Sequence, residues 1–88
     1  MPEVAEVGDT LGFIYYKKNL ASLAIATLKT SSAKDPGNAL YHYHLGLAYA
    51  DSGDSERARA SLTRALALKS DFDGADQARS LLNSQTVR

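Results

Sequence analysis

The sequence of this 88-residue chain predicts an all-α fold, in which two stacked helix pairs are followed by a closing fifth helix. The first observation behind this prediction is that the chain repeats itself at an offset of 34 residues. A period of this length is typical of supersecondary units that stack on one another. The second is that the matched residues fall on one helical face within each half. The third is a composition rich in Ala and Leu with only two prolines, which favours helix.

The repeat consists of large and small apolar residues that return at the same place in each half. Small residues let two helices lie close together, and large ones fill the space beside them. We therefore expect each half to be one pair of closely packed helices. The matched pairs are Leu11 with Leu45, Gly12 with Gly46, Tyr15 with Tyr49, Ala24 with Ala58 and Leu28 with Leu62, with Ser31 and Ala65 as a near match.

The helix limits are predicted from local turn signals. Lys18 and Asn19 predict a short turn, the stretch 35–38 separates the two halves, and Gly53 followed by Asp54 predicts a helix stop and a new N-cap. Ser70 with Asp73 fits a capping box for the last helix. The predicted helices are 3–17, 20–33, 38–51, 54–68 and 72–83.

We expect a single domain at 1–84, with one repeat at about 5–38 and a second at about 39–72. The helix at about 72–83 lacks the repeated residues and is predicted to cap the second repeat. The tail at 84–88 is expected to fray.

Composition and charge exclude several classes of function. Ten Lys and Arg balance ten Asp and Glu, so the chain has no basic field for nucleic acid. It has no cysteine, which excludes disulfides, thiolate metal ligands and a cysteine nucleophile. Its apolar runs are far shorter than the roughly 20 residues that span a bilayer. We expect a soluble protein without membrane insertion, in the cytoplasm or periplasm according to its parent protein.

The pattern Leu-Gly-x-x-Tyr followed by Ala and Leu, found once in each half, resembles the tetratricopeptide repeat over residues 5–72. The resemblance implies a right-handed superhelix that binds other proteins and needs no cofactor. The sequence departs from the family at the early tryptophan, which is Gly8 or His42 here, and at the closing proline of the second unit, which is Ser70. The stretches 9–13, 41–46 and 73–82 resemble the last repeats of long bacterial members, so we expect a C-terminal part of a larger protein.

Three groups of residues invite a chemical role, and each has a simpler interpretation. His42 and His44 are two apart and point about 200° away from each other on a helix, so they cannot bind one metal ion. The aspartates at 71–76 lack the glycine and glutamate spacing of a calcium loop, and we interpret them as helix caps. The arginines of the fourth helix are expected on a solvated convex side. They are Arg57, Arg59 and Arg64.

In the resembled family the first helix of each unit forms an inner, concave surface. The residues with which chaperone-binding members hold a C-terminal carboxylate are absent, since those positions carry Asp9, Phe13, His44, Gly74 and Ala78. The sequence instead predicts an apolar groove that receives a peptide or helix. A second hypothesis is that the parent chain or a second copy covers this groove, giving a homo-oligomer. No enzymatic activity and no metal are expected. The predicted protein-binding residues are Phe13, Tyr16, Leu40, Tyr43 and Leu47.

Overall fold

The computed structural model describes residues 2–86, and within that range it contains five α-helices and no strand. The all-α prediction is confirmed, and the first four helices begin and end within one residue of their predicted limits. The fifth begins three residues later than predicted and continues three residues further. The helices are α1 (Pro2–Lys17), α2 (Ala21–Lys34), α3 (Ala39–Asp51), α4 (Ser55–Leu68) and α5 (Ala75–Thr86).

The helices pack in chain order, as two pairs that stack on each other. The α1–α2 and α3–α4 pairs make the most extensive contacts, and α2 also lies against α3. The closing helix α5 lies against α4, and its contact is the smallest of those between consecutive helices. The molecule measures 39 × 27 × 18 Å, an elongated shape that suits a stack of helix pairs.

Close packing within each pair depends on one glycine. A Cβ atom on Gly12 would lie 2.5 Å from Cγ of Leu28, and one on Gly46 would lie 2.6 Å from Cδ2 of Leu62. Any side chain at these positions would therefore displace a fully buried leucine. The predicted close approach is confirmed, and at Gly46 the carbonyl oxygen of Ala58 also lies 3.4 Å from the position of the added Cβ atom.

The turns within the two pairs have the same backbone geometry. Asn19 and Gly53 both have positive φ, 64° and 88°. The amide that follows each of them donates to the carbonyl five residues back, which is the hydrogen bond of a Schellman motif. Asn is among the few residues other than Gly that adopt this conformation readily, so the turn is kept although the residue changes.

The buried side chains form two clusters. The first lies between the two helix pairs and is built around Ala24, Leu28, Leu45, Ala48, Tyr49 and Ala58. The second joins α3 and α4 to α5 and is built around Tyr43, Leu47, Leu62, Ala65 and Ala78. The closing helix therefore completes a core, as the prediction of a capping helix requires.

The predicted start of the fifth helix is wrong. Gly74, with φ of 109°, occupies the N-cap position, and its carbonyl accepts the first helical hydrogen bond from Ala78. Ser70 lies in the preceding loop, where its carbonyl accepts a hydrogen bond from the guanidinium of Arg79. At the other end the helix includes residues 84–86, which were expected to fray, while residues 87–88 lie outside the described range.

The N-terminal edge of the stack is apolar and exposed. Leu11 was expected to fill the core of the first pair, yet 42% of it is exposed, whereas its counterpart Leu45 is 6% exposed. The difference arises because α2 lies against α3, while α1 has no described helix before it. Leu11 is thus placed for a contact outside its own helix pair.

Candidate protein-binding surface

Two shallow depressions meet on the side of the molecule formed by α1 and α3. The first is lined by both helices and includes Glu6, Phe13 and Leu40. The second lies between the start of α3 and the loop before α5 and includes Leu40 and Phe72. Leu40 belongs to both, so they form one continuous surface, which we call the inner surface.

Aromatic rings cover the part of the inner surface contributed by α1. The ring of Phe13 stacks on the imidazole of His44, with 4.2 Å between centroids, and lies 5.6 Å from the ring of Tyr16. The Nζ atom of Lys17 lies 5.3 Å from the centroid of Phe13, a cation–π distance. These contacts hold Phe13 in place although it remains partly exposed.

A buried hydrogen bond between His44 and Asp9 lies beneath these rings and was missed in the sequence. Nδ1 of His44 lies 2.9 Å from both carboxylate oxygens of Asp9, and the two residues are 9% and 5% exposed. The imidazole N–H donates to the carboxylate, which fixes the ring that supports Phe13. The available signal was the separation of His44 from Asp9 by 35 residues, one more than the repeat period.

Tyr43 and Leu47 lie deeper than the sequence predicts. They are 7% and 8% exposed and belong to the cluster beneath α5. The ring of Tyr43 lies 5.5 Å from that of Phe72 and against Gly74, and burial raises the pKa of its hydroxyl. Both residues therefore belong to the packed core, although the sequence predicts them at the surface of the groove. Their role in binding stays a prediction.

The other three predicted protein-binding residues lie at the surface. Phe13, Tyr16 and Leu40 are partly exposed, and each also packs against the cluster that contains Tyr43 and Leu47. A ligand that touched them would therefore contact the outer layer of a core that is already packed.

The charges beside the inner surface differ between its two ends. Tyr41, which lines the first depression, has its pKa raised by burial and then by the negative charges of Asp9, Glu6 and Asp35. Lys17 carries a positive charge at the opposite end of α1. A bound segment would therefore meet an acidic end and a basic end.

The other residues considered for a chemical role are His42 and the three arginines of α4. Nε2 of His42 donates to the carbonyl of Pro36 at 2.8 Å, and within residues 2–86 no three acidic or histidine side chains are grouped to hold a metal. Arg57, Arg59 and Arg64 are exposed on α4, as predicted. None of the helices in that range has the length and apolar character needed to cross a membrane.

Comparison with known protein families identifies one of the two helix pairs. Residues 39–72 match the model of the tetratricopeptide repeat, and this stretch is α3, α4 and the loop after them. No curated protein matches the chain. Repeats of this family are interaction modules for other proteins and are generally non-catalytic. Residues 39–72 are therefore a tetratricopeptide repeat.

Proposed function

We propose that the chain is a protein-binding module that receives an amphipathic helix or an extended apolar segment on its inner surface. The observation that carries the proposal is the row of partly exposed apolar side chains, Phe13, Tyr16 and Leu40, which lie over a packed core. Rigid aromatic side chains lose little conformational entropy on binding and commonly anchor protein interfaces.

Within this proposal the five predicted residues have two different roles. Phe13, Tyr16 and Leu40 contact the ligand, while Tyr43 and Leu47 support them from beneath. Truncating the buried pair would alter the fold, so binding is tested on the exposed residues alone. The module acts by binding, without a cofactor.

The charges at the two ends suggest how a ligand is oriented. Asp9 is buried beside His44, whereas Glu6 is an exposed carboxylate near one end and Lys17 is an exposed ammonium group at the other. A segment with apolar side chains in its centre, a basic residue near Glu6 and an acidic one near Lys17 would satisfy both ends.

The test is selection of binders from a displayed library of random peptides, and then NMR titration of the labelled chain with the selected peptide. We expect apolar peptides to be enriched and the amide signals of Phe13, Tyr16, Leu40 and Phe72 to shift. Signals that shift only on α4, around Arg59 and Arg64, would place the binding site on the opposite side.

A pair of lysine variants then separates binding from stability. Leu40→Lys should raise the dissociation constant of the selected peptide at least about ten-fold, since a charged group replaces an apolar contact. Ala67→Lys adds the same side chain at an exposed position of α4 and should bind as the unmodified chain does. Equal affinities for both variants, with both folded by circular dichroism, would contradict the proposal.

The second candidate from the sequence, self-assembly, is favoured by a different observation. It concerns the exposed aliphatic side chains of α1, of which Ile14 also lines the inner surface.

A further inference from the structure

Four exposed aliphatic side chains form a stripe along α1. Val4, Val7, Leu11 and Ile14 are 49%, 65%, 42% and 46% exposed. Their spacing of three, four and three residues is the a/d pattern of a helix that packs lengthwise on another helix. We call these four residues the α1 stripe. A shallow depression runs along it, lined by the last three of them with Glu6 and Thr10 at its side.

The equivalent residues of the second helix pair, 34 positions later, form a helix–helix contact. The residues 34 positions after Val7, Leu11 and Ile14 are Tyr41, Leu45 and Ala48, and all three are buried. They belong to α3, which lies against α2. The α1 stripe thus has the residue pattern of a helix–helix contact, and no described helix of the chain covers it.

We propose that a second copy of this chain covers the α1 stripe, with the two α1 helices packed antiparallel about a two-fold axis. Charge complementarity supports this occupant and this orientation. The exposed acidic residue Glu6 lies in the first half of α1, while Lys17 and Lys18 lie at its end. Antiparallel packing brings each acidic half towards the basic end of the partner, whereas parallel packing would bring like charges together.

A head-to-tail arrangement of copies is disfavoured by α5. In such an arrangement α1 of one copy would pack on α4 of the next. That face of α4 is already covered by α5, whose residues Ala75 and Ala78 are only 3% and 0% exposed. The α1 stripe is therefore available in both copies, and a surface that packs on itself forms a closed dimer.

This dimer would cover one edge of the inner surface, at Glu6, Thr10 and Ile14, and leave the part around Phe13 and Leu40 free. Leu11 and Phe13 are two residues apart, so their side chains point about 200° away from each other around α1. The inference goes beyond the proposed function, and each can fail without the other, because Leu40 lies outside the stripe.

Sedimentation equilibrium of the full chain from micromolar to millimolar concentration tests the dimer. We expect a monomer–dimer equilibrium whose dissociation constant rises at least about ten-fold in Leu11→Lys, which places two like charges at the interface. Ala67→Lys, with the same change on α4, and Leu40→Lys on the inner surface should dimerise as the unmodified chain does. A monomer throughout, as expected if a different protein or a further repeat occupies the stripe, would overturn the inference, and so would a dimer insensitive to Leu11→Lys.

The orientation is tested with single cysteines, because the chain has none of its own. Thr10 lies beside the middle of the stripe, and Lys18 comes directly after the end of α1. In an antiparallel dimer a short bismaleimide should join two copies of Thr10→Cys efficiently and two copies of Lys18→Cys poorly. Efficient linkage of both variants would indicate a parallel pair and overturn the proposed arrangement.

Discussion

The buried pair of Asp9 and His44 shows how single residues organise the inner surface. An ionised carboxylate removed from water is costly unless it is hydrogen-bonded, and here both of its oxygens lie within 2.9 Å of the imidazole nitrogen. The pair in turn orients the ring on which Phe13 stacks. The sequence does not predict this contact, because neither residue lies on the apolar face that the repeat pattern identifies.

Tyr43 is the residue at which the structure most changes the expectation from sequence. The sequence predicts Tyr43 as a protein-binding residue of the groove, whereas the structure places it in the core. The structure predicts that Tyr43→Ala alone lowers the free energy of unfolding by about 3–5 kcal/mol, since it removes a buried aromatic ring. Urea denaturation measures the loss. Tyr43→Phe is the matched control and should cost much less, because the ring that contacts Phe72 and Gly74 is retained.

Among the elements, α2 and α4 occupy equivalent places but begin differently. Asp54 caps α4 by accepting from the amide of Arg57, whereas Leu20 at the same position of α2 makes no side-chain cap hydrogen bond. The side chain of Leu20 is 43% exposed, so it contributes little to the core. The N-terminus of α2 is therefore less stabilised by capping than that of α4.

Replacing Leu20 with Asp should stabilise the protein by about 0.5–2 kcal/mol at neutral pH, the usual effect of an N-cap side chain. The pKa of Asp54 is lowered first by the hydrogen bond from the Arg57 guanidinium and then by that from the Arg57 amide. The counterpart of Arg57 in α2 is Leu23, so a capping Asp at position 20 has only the amide as donor, and we expect its pKa to be lowered in the same direction by that bond alone. A carboxyl whose pKa is lower in the folded state stabilises the fold above its unfolded pKa of about 3.9. The gain should therefore disappear as the pH falls through the folded pKa. Leu20→Asn is the control, because an amide cap should show no such loss in acid, and an equal loss in both variants would contradict the capping mechanism.

The ends of the first four helices could be predicted because each has a local cause. Asn19 and Gly53 adopt positive φ, and Asn38 and Asp54 cap the helices α3 and α4. The start of α5 could not be predicted, because a tertiary contact decides it. Gly74 lies where a Cβ atom would be 2.4 Å from the ring of Tyr43. This contact depends on how α5 docks and overrides the capping signal at Ser70.

For the whole molecule, the repeat period predicted which helices pair, since Gly12 and Gly46 each lie against a buried leucine of the following helix. It did not predict which part of the inner surface remains open. That depends on α5, whose sequence departs from the repeat and whose position decides that Tyr43 and Leu47 are covered while Leu40 is not. A repeat pattern specifies contacts between units, and the surface left at each end of the stack depends on the segment that packs against that end.

The last prediction concerns α5 as the cap of the stack. Ending the chain at Ser70 removes Phe72, Leu81 and Leu82, which pack on the cluster around Tyr43 and Leu62. Losing their burial should lower the free energy of unfolding by on the order of 3–5 kcal/mol, a large part of what a domain of this size usually has. We expect a lower urea midpoint and binding of a hydrophobic dye at the uncovered α3–α4 face. A chain ending at Ser84 keeps these three side chains and is the control. If both shortened chains unfold at the same urea concentration, α5 does not contribute to the core and the assignment of a capping helix is wrong.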